Sequence, residues 1–378
     1  MSEAALRAGT SSTAVAHNTS VRTVSRGDRG EAVLDIQARL SALGYRIDPE
    51  EHGEFGPSTE QSVRAFQQRR QLMVDGLVGT HTWDELVEAG FAFGDRVLYL
   101  RYPSNRGDDV RTIQRMLNLL GFDSGREDGI FGQRTDRALR EFQRNVGLPE
   151  DGILGGTTVD ALKRLRPVAA GPSRAMVRES EALRRLSASL DGARVAVDAG
   201  HGAVDPGAAG PAGTTEGAAS YLFAQALCRE LAGRGAHPLI LRTAQTDPAV
   251  SDRARAANEF GAEVLVAIHF NSDAKPTAEG ASTYYYGREG WTSPGGQRLA
   301  ELIQEELTSR LGLKDGRTHP KALPLLRETR MTAVHVEPCF ITNPREEALI
   351  QDEAFQRQVA FCLAEAVERF FGRKAFQA

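Results

Sequence analysis

Two histidines and two glutamates carry the chemistry this chain of 378 residues can do: His201, Glu216, His269 and Glu337. His201 follows the apolar run Val195, Ala196, Val197 in VAVDAGHGAVDPGAAG, and His269 lies near the end of EVLVAIHF. Glu337 lies in AVHVEPCF, next to a proline that cannot donate to a sheet ladder. Glu216 opens a helical pattern of Tyr221, Leu222, Ala224, Leu227, Cys228 and Leu231, closed by Gly233 and Gly235. Two neutral imidazoles and one carboxylate give a tetrahedral zinc three protein ligands and leave its fourth position open for water. The remaining glutamate is then free to act as a base, which makes the reaction class metal-assisted amide hydrolysis. As a motif the spacing 201, 216, 269 is weak, and the chain has no HExxH pair. What strengthens it is that each residue stands at the end of a predicted strand or the start of a helix.

Those elements must bring distant parts of the chain together. The runs at 195–197, 263–270 and 333–340 have the continuously apolar, β-branched character of strands buried on both faces. Gly200, Gly202 and Gly207 let the chain turn sharply after the first of them. Ligand sites of open α/β sheets lie at such carboxyl ends. Helical stretches near 217–233, 249–260, 295–311 and 353–371 alternate with the strands, which predicts an α/β domain with a mostly parallel sheet covered by helices on both faces.

Residues 193–373 resemble the zinc-dependent N-acetylmuramoyl-L-alanine amidases of the amidase 3 family. The resemblance runs through VAVDAGHGAVDPGAAG, Glu216, Arg242 in LILRT, Arg253 with Ala257-Asn258 in RARAAN, AIHFNS, Gly280 before STYYYG, and HVEPCFITNPRE. It implies that His201, Glu216 and His269 are zinc ligands and Glu337 the catalytic carboxylate. It also implies cleavage of the amide between the lactyl group of N-acetylmuramic acid and L-alanine. The other histidines, His17, His52, His81, His237, His319 and His335, are expected to be dispensable for metal. Three positions near the chemistry depart from the family: Ala203 for a glycine, Cys339 for a glycine or alanine, and His335 for an apolar residue. A thiol at Cys339 is expected either to narrow the cleft or to reach the metal. His335 is expected to share the face of Glu337 on its strand, as a packed histidine rather than a fourth ligand.

The amino-terminal half is a tandem repeat. Gly30, Val33, Ile36, Gln37 and Leu40 recur as Gly107, Val110, Ile113, Gln114 and Leu117. After a one-residue change in a loop, Gly53, Phe55-Gly56, Thr59, Phe66-Gln67, Asp75-Gly76, Gly79, Thr82 and Leu86 recur as Gly129, Phe131-Gly132, Thr135, Phe142-Gln143, Asp151-Gly152, Gly155, Thr158 and Leu162. Apolar stripes such as Val33, Ile36, Leu40, Leu43 predict three short helices per repeat, with Asp-Gly turns before the third. Both copies resemble the type-1 peptidoglycan-binding module, through G-x-x-V-x-x-[IL]-Q, FG-x-x-T, FQ and DG-x-x-G. The expected organisation is a disordered tail over 1–22, modules over 23–92 and 99–167 that fold without the rest, a linker over 168–192 whose helix is solvated, and the amidase domain over 193–373.

Composition narrows the class further. With 41% hydrophobic and 25% charged residues the chain is ordinary globular protein, and a net charge of −4 argues against nucleic acid as a partner. The three cysteines, Cys228, Cys339 and Cys362, are odd in number and read as reduced thiols. The first residues hold no apolar run long enough for a signal peptide or membrane span, so a cytoplasmic location is expected, with an extracytoplasmic one by a non-standard route as the alternative. The expected partner is peptidoglycan or its muropeptides. The competing reading is a regulator that binds a cytosolic enzyme of cell-wall synthesis, because the architecture is also similar to leaderless actinobacterial amidase-like proteins that activate precursor synthesis.

Overall fold

The structure is a computed structural model that describes residues 23–47, 50, 53–165, 174–288 and 291–372. The expected tail over 1–22, the start of the linker, His17 and His52 lie outside them.

Each repeat folds as three helices: α1 (Glu31–Ala42), α2 (Pro57–Arg70) and α3 (Thr80–Ala89), then α4 (Asp108–Leu119), α5 (Gln133–Asn145) and α6 (Gly156–Arg164). The recurring apolar residues make two separate cores, Val33, Ile36, Leu40, Val63, Phe66 and Leu86 in the first copy and Val110, Ile113, Leu117, Leu139, Phe142 and Leu162 in the second. The recurring polar residues are equally structural. Gln67 Nε2 donates to Asp75 Oδ1 (2.6 Å), Leu77 O (2.9 Å) and Thr82 Oγ1 (3.1 Å), while its Oε1 accepts from Gly76 N (2.9 Å). Gln143 repeats this with Asp151, Ile153, Thr158 and Gly152. Gln37 and Gln114 likewise receive the amides of Gly53 and Gly129 and donate to Thr59 and Thr135. One buried amide side chain thus ties an Asp-Gly turn to the next helix, and a buried group left without its partner costs about 1–3 kcal/mol. Gln143→Ala is therefore expected to lower the stability of the second bundle by about that amount, measured by urea unfolding of the whole chain; an unchanged midpoint would contradict it.

The linker helix α7 (Arg174–Arg184) is not solvated as the sequence suggested. Leu183 is buried and Leu186 packs on the core of the following domain, while Ser293 Oγ donates to Glu179. Beyond the helix, Ser187 N donates to Glu263 (2.8 Å). The physical reason is that the apolar positions found a partner surface, which periodicity does not reveal.

The carboxyl-terminal domain contains β1 (Arg194–Ala199), α8 (Glu216–Gly233), β2 (His237–Ile240), α9 (Val250–Phe260), β3 (Val264–Ile268), β4 (Ala281–Arg288), β5 (Trp291–Thr292), α10 (Pro294–Leu311), β6 (Asp315–Lys321), α11 (Pro324–Glu328), β7 (Thr332–Glu337), α12 (Pro344–Gln351) and α13 (Glu353–Gly372). The sheet runs β2-β1-β3-β7-β4-β5, with β6 also paired to β4. Strands β2, β1, β3 and β7 are mutually parallel, and β4 turns antiparallel to β7. Alternation along the strands makes two layers. Val195, Val197, Val264, Val266, Val334 and Val336 face α8, α10 and α13, whereas Ala196, Leu265, Ala267 and Ala333 face α9 and α11. Full burial of each valine or leucine contributes roughly 1.5–3 kcal/mol, so the first layer is the stabilising core.

The repeats dock on the second layer. Ala322 N donates to Gln71 O (2.8 Å), and Lys321 Nζ donates to Leu72 O (2.6 Å). Arg327 binds Glu85 (2.9 Å) and Glu88 (3.0 Å), and Arg288 binds Glu85 (3.1 Å), all four side chains being buried. From the second repeat, Arg106 binds Glu328 (2.8 Å) and Arg126 lies over the Tyr286 ring. Among the described residues no helix is long and apolar enough to cross a membrane.

Candidate metal centre

The sheet's parallel strands end together, and that edge collects the candidate residues. His201 stands two residues beyond β1, His269 directly follows β3, Glu337 ends β7, and Glu216 is the first residue of α8. Ligand atoms of His201, Glu216 and His269 all lie within 4.8 Å of one another. His201 Nε2 is 3.1 Å from Glu216 Oε2, and His269 Nδ1 is 2.9 Å from Glu216 Oε1. The other ring nitrogen of His201 meets Asp205 Oδ2 at 2.9 Å, the position from which an outer carboxylate would orient a metal-binding imidazole. Two imidazoles and a carboxylate converging in this way fit zinc.

Backbone space is part of the fit. A Cβ on Gly200 would come within 2.4 Å of the His269 ring, and one on Gly207 within 2.6 Å of the His201 ring and 2.8 Å of Glu216 Oε2. Gly207 also has φ +69°, which side chains rarely adopt. His201 itself holds φ 57°, an uncommon conformation for a residue with a side chain. Two buried arginines hold it there. Arg253 donates to Ala199 O (2.7 Å), His201 O (2.7 Å), Asp198 Oδ1 (3.1 Å) and Asp247 Oδ1 (3.0 Å). Arg242 donates to Ala199 O, Gly200 O and Gly217 O. The arginines that carried the family resemblance are thus supports of the ligand loop.

The three side chains are coupled through their hydrogen bonds, and a metal would have to displace the proton that Glu216 and His201 share. Burial disfavours a charged His201, but hydrogen bonds with Glu216 and Asp205 outweigh it and hold the imidazole at about 9. Burial would raise Glu216, yet its hydrogen bonds with His201 and His269 keep it well below the usual carboxylate range. Burial, then the neighbouring His335, lowers His269 to about 3.

Glu337 sits beside this triad with two partners. Tyr284 donates its hydroxyl to Glu337 Oε2 (2.9 Å), and His335 Nε2 lies 3.1 Å from Oε1. His335 also stacks on His269 at 4.2 Å. It is packed, as expected, on the face of Glu337, and its ring contacts both His269 and that carboxylate. Tyr284 stays a phenol, its ionisation opposed by burial first and then by the charge of Glu337. It escaped the sequence reading because STYYYG shows three tyrosines and only strand register selects the middle one of the trio, Tyr285, for one face and its neighbours for the other. Tyr284→Phe is expected to keep the fold and lower hydrolysis by about tenfold or more, the loss of one hydrogen bond to a charged group; unchanged kcat/KM would remove Tyr284 from the site.

Neither expectation for Cys339 holds. The side chain is fully buried in the first-layer core and takes no part in the metal-ligand group, and burial pushes its thiol well up. β7 ends at Glu337, and the chain leaving the strand turns Cys339 into that core. Ala203, in contrast, lines an open cleft beside the ligand loop together with Pro206, Tyr221 and Arg242.

Known proteins resemble both halves of the chain. The N-acetylmuramoyl-L-alanine amidase family profile matches residues 195–369, and a peptidoglycan binding domain profile matches 29–86 and 106–162. The chain is 36% identical over 359 residues to N-acetylmuramoyl-L-alanine amidase CwlM of Mycobacterium tuberculosis, covering 91% of this chain and 88% of that one. It is 26% identical over 187 residues to the amidase LytC of Bacillus subtilis, covering 50% of this chain and 37% of that one. Among solved structures, an N-acetylmuramoyl-L-alanine amidase from Clostridium difficile 630 aligns with a TM-score of 0.46 at 29% identity, over 49% of this chain and 99% of that one.

Proposed function

The chain belongs to the N-acetylmuramoyl-L-alanine amidase family, and from that premise we propose that it is a zinc-dependent hydrolase of the amide between N-acetylmuramic acid and L-alanine, acting on peptidoglycan or its fragments. The observation that carries the reading is the convergence of His201, Glu216 and His269 with Glu337 beside them. The three ligands would hold zinc, which when bound supplies Lewis-acid polarisation of the scissile carbonyl and of water. Glu337 takes the proton from the attacking water and returns it to the leaving amine nitrogen. Tyr284 and His335 fix the carboxyl group between them for both transfers. Arg242 and Arg253 keep His201 in its strained position, so the site is set before substrate arrives.

The proposed organisation is two modules over 23–92 and 99–167, a linker over 168–192 and the amidase domain over 193–373, with peptidoglycan or a muropeptide as partner. Cys228, Cys339 and Cys362 are free thiols, which supports a reducing compartment such as the cytoplasm. Incubating the zinc-loaded chain with muropeptides and assaying free N-terminal L-alanine tests the activity. If muropeptides stay intact, the regulatory reading with a partner in precursor synthesis takes its place.

A further inference from the structure

The docking face of the first repeat runs toward the catalytic edge. His81, Glu85 and Glu88 are spaced i, i+4, i+7 and so form one stripe along α3. Glu85 and Glu88 are fastened to Arg327, and the next turn toward the amino end presents His81. On the other side of the junction a rank of rings crosses the sheet. His201 lies 5.2 Å from His269, His269 4.2 Å from His335, His335 5.6 Å from Tyr284, and Tyr284 5.9 Å from His319. Lys321 and Ala322, where Gln71 and Leu72 attach, follow His319 by two and three residues. The repeat is thus anchored at the end of the rank that begins with the metal ligands.

The tandem repeat supplies an independent argument. Positions shared by both copies build the bundles, as the glutamine cages demonstrate. At the equivalent stripe of the second copy stand Thr157, Ala161 and Arg164. His81, Glu85 and Glu88 are therefore not needed to make the bundle and belong to what the first copy does alone. His81 keeps an exposed side chain in the crowded space between the domains. Crowding first, then the charge of Arg327, push its imidazole down, which favours a neutral ring able to donate and accept at amides and hydroxyls.

We propose that the first repeat is a fixed wall of the amidase cleft and that His81 is a substrate-contacting residue it supplies, hydrogen-bonding the muropeptide beside Glu337. This rests on the amidase reading of the site. The repeat acts as part of the enzyme, not as an arm tethered to it, and its grip on the domain through Arg327 determines the shape of the cleft.

The test uses the whole zinc-loaded chain carrying Glu337→Gln, so that binding is read without turnover. N-acetylmuramoyl-L-alanyl-D-isoglutamine is titrated by calorimetry. Adding His81→Ala is expected to weaken binding about tenfold, the scale of one hydrogen bond, with melting temperature and zinc content unchanged. Adding Thr157→Ala, at the equivalent position of the second repeat, should change nothing. Glu85→Gln with Glu88→Gln should weaken binding similarly, and His81→Ala on top of that pair should add little, because both remove the same wall. Equal affinity with and without His81 overturns the inference. Absence of binding in the Glu337→Gln chain overturns the amidase reading first and this inference with it.

Discussion

Glu337→Gln is expected to retain zinc and to lose hydrolysis by about 10²–10⁴-fold, the contribution typical of a positioned acid and base. The amide that replaces the carboxylate is nearly isosteric and can still meet Tyr284 and His335, so the fold and the ring stack on His269 should survive. What it cannot do is take a proton. The loss should therefore fall on kcat with little change in zinc content. Metal analysis alongside kinetics on a muropeptide separates the outcomes. Equal loss of zinc and rate would make Glu337 a ligand, and an undiminished rate would remove it from the mechanism.

His201→Ala should abolish stable zinc binding, an effect beyond the 10–100-fold that changing an outer-shell partner typically costs. Removing the ring takes one of three ligands and leaves Glu216, a buried carboxylate, with only His269 and backbone amides as partners. Replacing Asp205, which only orients the ring from outside, should cost less. Because zinc binds the folded state, its loss should also appear as a lost upward shift of the melting temperature on adding the metal. Dialysed protein is measured for zinc per chain and melted with and without the ion. A His201→Ala protein that holds as much zinc as its parent refutes the ligand assignment.

Much of this was legible in the sequence because local rules govern it. Continuous β-branched runs such as Val264 to Ile268 can be buried only as central strands, and central parallel strands end on one edge, so histidines and a glutamate placed at those ends must meet. The repeat was equally plain, since the same glutamines, glycines and threonines must recur wherever the same turn is caged. Tertiary structure alone decided the rest. Whether Cys339 faced the metal or the core depended on how the chain leaves β7. Tyr284 became a partner of Glu337 only when β4 paired antiparallel with β7, a contact between strands far apart in the chain. The linker helix, Arg327 and His81 depended on surfaces docking, and amphipathic spacing states only that a face is buried, not against what. Which residues could do the chemistry was decided by secondary structure, which is local; their neighbours waited on packing, which is not.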